Sequence, residues 1–217
     1  MVLLSVLAVL FLLFAFVDVW YIIRFLLIAV RSRFNKRDFQ RHPYTEEELT
    51  KDFTNKGIVL PSDLDVFLHM NNSKFFKEFD LARIDMAAKI GFLDVLKKHG
   101  GFFVVGAGNI RYRRSLKLFQ RYAIKTRIVS WDEKAFYVEQ KMIISKGFVA
   151  AVMYTKIAMK GITTEVFIKE FCGENIPSPE PTAEIKSWSD SLELSSKSLN
   201  GEVPQLMRRH SITSLQR

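Results

Sequence analysis

The sequence predicts an α+β fold in which one long helix lies against an antiparallel sheet, with a membrane-anchor helix at the amino terminus. Three observations predict it. From Ser73 to Ile90, apolar residues fall at Phe75, Phe76, Phe79, Ala82, Met86, Ala87 and Ile90, the intervals of a single helical face. Beyond Val104 the period changes to two, the alternation of half-buried strands. Before all of this, Met1 to Val17 carries no charge and one polar side chain, Ser5.

The anchor comes first in the chain. A helix through Met1–Ile23 is about 34 Å long at roughly 1.5 Å per residue, which matches a hydrocarbon core of about 30 Å. Asp18 then lies near one end, where Trp20 and Tyr21 suit a membrane interface and Arg24 can snorkel. The alternative is a cleaved secretory signal, but nothing basic precedes the run and Ala15 is followed by Phe16 and Val17, a poor cleavage context. Arg24, Arg31, Arg33, Lys36, Arg37 and Arg41 follow the run, so the positive-inside bias places the carboxyl-terminal bulk in the cytosol.

Residues 31–52 read as a basic connector containing a short helix, with Thr45 as its cap and Glu46, Glu47 and Glu48 in its first turn. Lys56–Leu60 reads as a short strand stopped by Pro61. Asn71, Asn72 or Ser73 caps the long helix, and Gly91 ends it. Lys74, Lys77, Glu78, Asp80 and Lys89 fall largely off its apolar face. A second short helix, Leu93–Lys98, stops at Gly100-Gly101. Strands are expected over Val104–Tyr112, Tyr122–Ser130, Ala135–Ile144 and Phe148–Met159, arranged as a meander because the connections at residues 131–134 and 145–147 are hairpin-short. In the third strand Phe136, Val138 and Met142 face the core, and Tyr137, Glu139 and Lys141 face away. A helix over Thr164–Phe171, a proline linker at Pro177, Pro179 and Pro181, and a peripheral helix over Thr182–Leu194 complete the folded part. The serine-rich basic tail from Ser195 is expected to be disordered. The expected organisation is therefore an anchor over 1–30, the connector over 31–52, a folded domain over 53–172 and an extension over 173–217.

Composition narrows the chemistry. A single cysteine, Cys172, excludes a disulfide framework within the chain and any multi-thiolate metal site. The four histidines show no metal-ligand spacing, so neither a metal nor a cofactor is expected. The net charge of +9, from 32 basic and 23 acidic residues, points to an anionic partner. Much of the basic cluster lies where lipid headgroups sit next to the anchor. The basic residues are not interleaved with a nucleic-acid signature, so no nucleic-acid partner is expected.

The densest polar constellation is Asp63-Leu64-Asp65-Val66-Phe67-Leu68-His69-Met70-Asn71-Asn72, between a strand and the amino end of the long helix. A helix start offers unpaired N–H groups and a positive dipole end, which suit an oxyanion. A neighbouring carboxylate can act as nucleophile or activate water, and His69 can orient either group or move a proton. The same residue types also serve as ordinary turn formers and caps. Spacing alone leaves both roles open.

The run Ser62-Asp63-Leu64-Asp65, then His69-Met70-Asn71-Asn72-Ser73 and Phe75, continued by Asp80-Leu81-Ala82-Arg83, resembles the signature of the hotdog-fold acyl thioesterases. These are the 4-hydroxybenzoyl-CoA and acyl-ACP thioesterase group. With the amino-terminal run, the chain looks like the superfamily's member-six branch over about residues 1–195. Ile110-x-Tyr112-Arg113-Arg114-Ser115-Leu116 and Trp131-Asp132-x-Lys134-Ala135-Phe136-Tyr137 extend the resemblance.

The resemblance implies a hotdog fold that forms a homodimer and takes an acyl-CoA or another acyl thioester at the subunit interface. It implies Asp65 as the catalytic carboxylate, with His69 and Asn72 orienting the site. The N–H groups near Asn72 and Ser73 would polarise the thioester carbonyl. Arg113 and Arg114 would hold coenzyme A phosphates, the alternative being an exposed strand end. Phe76 is the candidate for an acyl contact, although the Phe-rich helix face reads first as core. Two positions depart from relatives: Phe67 stands where plant enzymes carry Asn, and Leu68 where bacterial relatives often carry Gly. The implied activity is membrane-anchored acyl-CoA hydrolysis. The alternative is an inactive acyl-thioester-binding or scaffold protein in lipid homeostasis. The endoplasmic reticulum membrane is the expected location, or the exterior if the run is a cleaved signal.

Overall fold

The computed structural model describes Ser5, residues 18–34 and residues 43–200. Most of the expected anchor over 1–30, part of the connector, and the tail with Arg208-Arg209-His210-Ser211 lie outside the described residues. The described residues fall into two compact units that divide after Ser178.

The first described helix, α1, spans Val19–Phe34. The Asp18 carboxylate accepts from the Tyr21 N–H at 3.0 Å, a side-chain cap. Most of the expected helix through Met1–Ile23 lies outside the described residues; within it Val19–Ile23 are helical, and α1 runs beyond residue 30 into the expected connector. Among the described residues, no helix is long and apolar enough to cross a membrane.

Helix α2 (Glu46–Thr50) carries the expected cap as a reciprocal box: Glu48 N–H donates to Thr45 Oγ1, and Thr45 N–H to the Glu48 carboxylate. Strand β1 (Phe53–Ile58) lies earlier than the expected Lys56–Leu60, because Val59 already leaves the ladder to bond the Gln120 carbonyl ahead of Pro61. Helix α3 (Asn72–Ile90) is the long helix, capped by Asn71 and ended by Gly91 at φ 78°. Then follow α4 (Phe92–Lys98), β2 (Phe102–Tyr112), β3 (Arg121–Trp131), β4 (Ala135–Ile143), β5 (Val149–Lys160) and α5 (Thr164–Cys172).

The sheet is antiparallel with order β1-β3-β4-β5-β2. Only β3, β4 and β5 form the expected meander. Strand β2 pairs with β5 at the far edge, so residues 113–120 carry the chain across the sheet to β3. Short hairpins drive local pairing, but β2 and β3 are joined by a longer link, and that frees β2 to pair non-locally.

Two apolar clusters pack the helices against the sheet, one chiefly under α4 and α5 and the other under α3. One centres on Phe92, Phe136, Phe167 and Phe171, the other on Phe75, Phe79, Ile124 and Met142. Burying side chains of this size contributes about 1.5–3 kcal/mol each. A polar layer also crosses the helix–sheet interface. Arg83, buried and held below its ordinary pKa by that burial, donates to Gln140 Oε1 at 2.9 Å and to Asp80 Oδ1 at 2.8 Å. Gln140 donates in turn to the Phe79 carbonyl and to Thr126 Oγ1.

The apolar face read from the sequence is thus incomplete. Glu78, Arg83 and Asp85 are buried with it, and Phe76 lies largely exposed. The outer face of β4 is not simply solvated either. Glu139 is buried beneath Arg127, Lys141 and Tyr154, all of which donate to it. Cross-strand partners on the outer face supply that cover.

Glu78 is buried because α1 reaches it. Tyr122 Oη donates to Glu78 Oε2 at 2.7 Å, and Arg24 Nη2 donates to the same oxygen at 2.9 Å. The second guanidinium nitrogen bonds Oε1, completing a bidentate pair. Burial, then Glu78, push the Tyr122 hydroxyl far up, so it remains a donor. Gly57 makes room for that tyrosine: a Cβ there would meet the Tyr122 ring at 2.4 Å. Tyr21 bonds Asp80 and Lys77 bonds Asp18, each at 2.6 Å. Helix α1 therefore runs alongside α3 in the same direction, its start near Lys77. It turns polar groups inward and leaves Ile22, Leu26, Leu27 and Val30 exposed.

The second unit begins at Pro179. Its helix, α6 (Ala183–Leu199), is capped by Thr182, which accepts from the Ile185 N–H. It continues past Ser195, where a disordered tail was expected.

Candidate active site

Between β1 and α3 the chain folds back twice, and each carboxylate of the Asp-x-Asp pair takes one turn. Asp63 is buried; its carboxylate accepts from the Leu60 N–H at 2.8 Å and its carbonyl from the Asn71 N–H at 2.8 Å. It holds the turn that Pro61 begins, a structural task. Asp65 is half-buried and closes the next turn. Its Oδ1 accepts from the Phe67 N–H at 2.9 Å, and the Leu68 N–H bonds the Asp65 carbonyl at 3.0 Å. Among the described residues Oδ2 has no hydrogen-bond partner. His69 then bridges to Lys117 on the β2–β3 link, and the Met70 N–H bonds the Leu116 carbonyl at 2.8 Å.

Asn71 caps α3, its Oδ1 accepting from the Ser73 N–H at 2.9 Å. This corrects the expectation that the Ser73 N–H is free for a substrate. The Asn72 N–H is the first-turn donor left without a protein partner among the described residues.

These turns open on a cleft of about 610 Å³ at the amino end of α3. Asp65, His69 and Asn72 line it together with Arg113 and Arg114, residues that lie far apart in the chain. Ser73 and Phe76 do not line it. Phe76 lies one helical step from the buried Phe75, which carries it out over β2 near Gly108. The floor is Met70 and Phe75.

Both arginines rest on one aromatic ring. The Arg114 guanidinium lies 3.9 Å from the Phe148 centroid and that of Arg113 4.9 Å, with Arg113 Nη1 donating to the Val149 carbonyl at 3.1 Å. Two forks are thus held at one rim of the cleft, with the Asp65 carboxylate in the same cleft.

Five lining residues were not read from the sequence as site residues: the floor residues Met70 and Phe75, with Ser115, Tyr112 and Phe67. Tyr112 donates to the Asn72 carbonyl at 3.1 Å and packs edge-on against Phe75. Burial pushes its hydroxyl up, so it stays protonated. Its place beside Arg113-Arg114 in the Ile110–Leu116 segment was the available signal. Phe67, marked only as a departure, forms part of the wall and is 76% exposed.

Leu68 has φ 58°, in the left-handed region. Glycine, which the resemblance implies for this place, would take up that backbone without strain, whereas a Cβ there costs about 1–2 kcal/mol. Leu68→Gly is expected to stabilise the protein by about 0.5–1 kcal/mol after the added freedom of the unfolded chain is offset. Urea-denaturation midpoints of the two proteins check it.

Residues 59–189 match the family model of the thioesterase-like superfamily. The chain belongs to that superfamily. Protein THEM6 of Xenopus laevis is 35% identical over 87% of this chain and 88% of its own. Protein THEM6 of Drosophila melanogaster is 36% identical over 90% and 97%. A probable thioesterase of Saccharomyces cerevisiae is 27% identical over 71% and 69%. Among solved structures, the probable thioesterase YbaW of Escherichia coli superposes with a TM-score of 0.51 at 23% identity, covering 54% of this chain and 93% of that one. The architecture is the hotdog fold of these thioesterase-like proteins, with α3 as the central helix. The superfamily match begins at Val59 and so contains the Asp65 turn and the arginine rim.

Proposed function

We propose that the protein hydrolyses an acyl thioester, with an acyl-CoA as substrate, at the cleft beside Asp65. The observation that carries this is the convergence in one cleft of a carboxylate with an unengaged oxygen, a histidine, an unpaired helix-start N–H and two fixed arginines. Asp65 takes a proton from water as the water oxygen attacks the thioester carbonyl carbon. The Asn72 N–H receives the developing oxyanion. When the C–S bond breaks, the proton held at Asp65 passes to the departing sulfur, directly or through His69. Arg113 and Arg114 hold the phosphates of the coenzyme.

The setting proposed for this reaction is a membrane, reached by the uncharged amino-terminal run, with the domain in the cytosol and the endoplasmic reticulum as the compartment. The basic residues after the run support that orientation. A homodimer is proposed at the β2 edge, where Phe102, Val104 and Val105 are exposed on a strand paired on one side only.

One observation favours a second reading. The cleft wall at Phe67 is apolar, which suits retention of an acyl thioester without cleavage, as in a binding or scaffold protein. The deciding experiment presents the full chain with acyl-CoAs of graded chain length and follows free thiol. Release of coenzyme A supports hydrolysis; saturable binding without release supports the second reading.

A further inference from the structure

The cleft is bordered by two neighbouring turns that share an uncommon build. In the first, Asp65–Leu68, Val66 is 90% exposed, with Phe67 and Leu68 beside it. In the second, the Gln120 N–H bonds the Lys117 carbonyl at 3.0 Å, and Leu118 and Phe119 point outward, Phe119 at 61% exposure. The turns are joined by the His69–Lys117 bridge and the Met70–Leu116 hydrogen bond. Each contains a non-glycine residue at left-handed φ, Leu68 at 58° and Phe119 at 61°. Strain of this kind persists where the surrounding structure over-determines it, and it clusters at functional sites. Here it holds apolar side chains out of a domain that has a well-filled core.

The surroundings identify what those side chains meet. Lys117 lies within the second turn and Arg121 directly follows it, both exposed. Arg113 and Arg114 stand on the adjoining rim of the cleft. Apolar tips set in a basic collar match the boundary of an anionic bilayer, with the side chains among acyl chains and the cations at headgroup phosphates. A copy packed tip to tip would bring the same cations face to face, which disfavours that arrangement; the homodimer proposed above pairs through the β2 edge instead. The start of α1 near Lys77, the terminus to which the uncharged residues 1–17 connect, lies on the same half of α3 as the cleft.

We infer that the paired tips Val66-Phe67-Leu68 and Leu118-Phe119, with Lys117 and Arg121, form a second contact with an anionic lipid surface, so that the cleft opens at the membrane. The surface stands on its own geometry. It depends on the hydrolase reading only for the consequence that substrate is drawn from the bilayer.

The test uses the full chain in vesicles of equimolar phosphatidylcholine and phosphatidylserine. An environment-sensitive fluorophore is placed at Val66→Cys or Phe119→Cys in a Cys172→Ser background, with Glu133→Cys in the distant β3–β4 turn as control. Nitroxide-bearing lipid serves as quencher. The expected result is a blue shift and quenching at positions 66 and 119 but not at 133. Quenching should fall in phosphatidylcholine alone and in the Lys117→Glu, Arg121→Glu double variant, by roughly fivefold in apparent contact per cation removed. Probes at 66 and 119 that stay unquenched while the chain co-floats with the vesicles overturn the inference, as does quenching indifferent to phosphatidylserine. A blue shift in detergent that grows with protein concentration, with cross-links between copies, assigns the tips to a second subunit instead and also overturns it. Turnover of a short soluble acyl-CoA, followed in parallel, separates the two readings. Inserted probes without turnover defeat the hydrolase, and turnover with solvated probes defeats the lipid contact.

Discussion

Asp65→Asn is expected to lower thioester turnover by about 10²–10⁴-fold, the range of a removed general base. The substitution keeps the turn, because an amide oxygen can still accept from the Phe67 N–H as Asp65 Oδ1 does at 2.9 Å. What is lost is the second oxygen, free to take a proton in the cleft. The loss is therefore expected in kcat, with KM nearly unchanged, since the arginine rim proposed to hold the coenzyme is untouched. Asp63→Asn behaves differently. Asp63 is buried in its turn and does not line the cleft, so its substitution moves stability and leaves the kcat of the folded fraction alone. Steady-state kinetics with thermal melts of both variants checks the contrast. Equal turnover by Asp65→Asn and the wild-type chain removes Asp65 from the mechanism.

Arg24→Met is expected to give the largest loss of stability, about 3 kcal/mol. The Glu78 side chain is only 5% exposed, while Arg24 is 28% exposed. Removing the guanidinium leaves a buried carboxylate with Tyr122 as its remaining donor, and an uncompensated buried charge is the costly product of breaking such a pair. The figure sits at the low end of the range because Arg24 keeps some contact with water. A melting temperature lower by about 6–12 °C follows for a chain of this size. Adding Glu78→Gln to Arg24→Met should return most of the loss, because the group left behind is then neutral. A double variant as unstable as the single one would show that α1 is held by its apolar contacts and not by the ion pair.

The central helix was legible because its signals are local: Asn71 and Gly91 punctuate it and the apolar spacing runs between them. The polar residues buried in that helix were not legible, because each is satisfied by a distant partner. Glu78 meets Arg24 and Tyr122, and Arg83 meets Gln140, all on other elements. Phe75 and Phe76 looked alike in sequence, yet one helical step of about 100° separates core from surface. The same limit hid the position of β2, whose partner β5 lies beyond two intervening strands in the chain.

At the site, the Asp-x-Asp stretch announced itself by composition, but nothing in the residue types distinguished the two acids. The resemblance singled out Asp65, and the fold adds the reason: both acids hold turns, but only Asp65 lines the cleft, with one oxygen unpartnered among the described residues. The family signature brought Arg113 and Arg114 to notice. Their common seat on Phe148 comes from the β4–β5 hairpin and has no counterpart in their own segment.

The clasp between α1 and α3 bears on how this protein can be handled. Trimming the chain back to the hotdog domain would ordinarily cut between the apolar amino-terminal run and the first strand. Such a cut discards Arg24 and Tyr21 and leaves Glu78 with Tyr122 and Asp80 with Arg83 as their remaining partners. A shortened form beginning at Asp18 keeps the clasp intact. One beginning at residue 43 would reach the assay already weakened, and its poor behaviour could be mistaken for lack of activity.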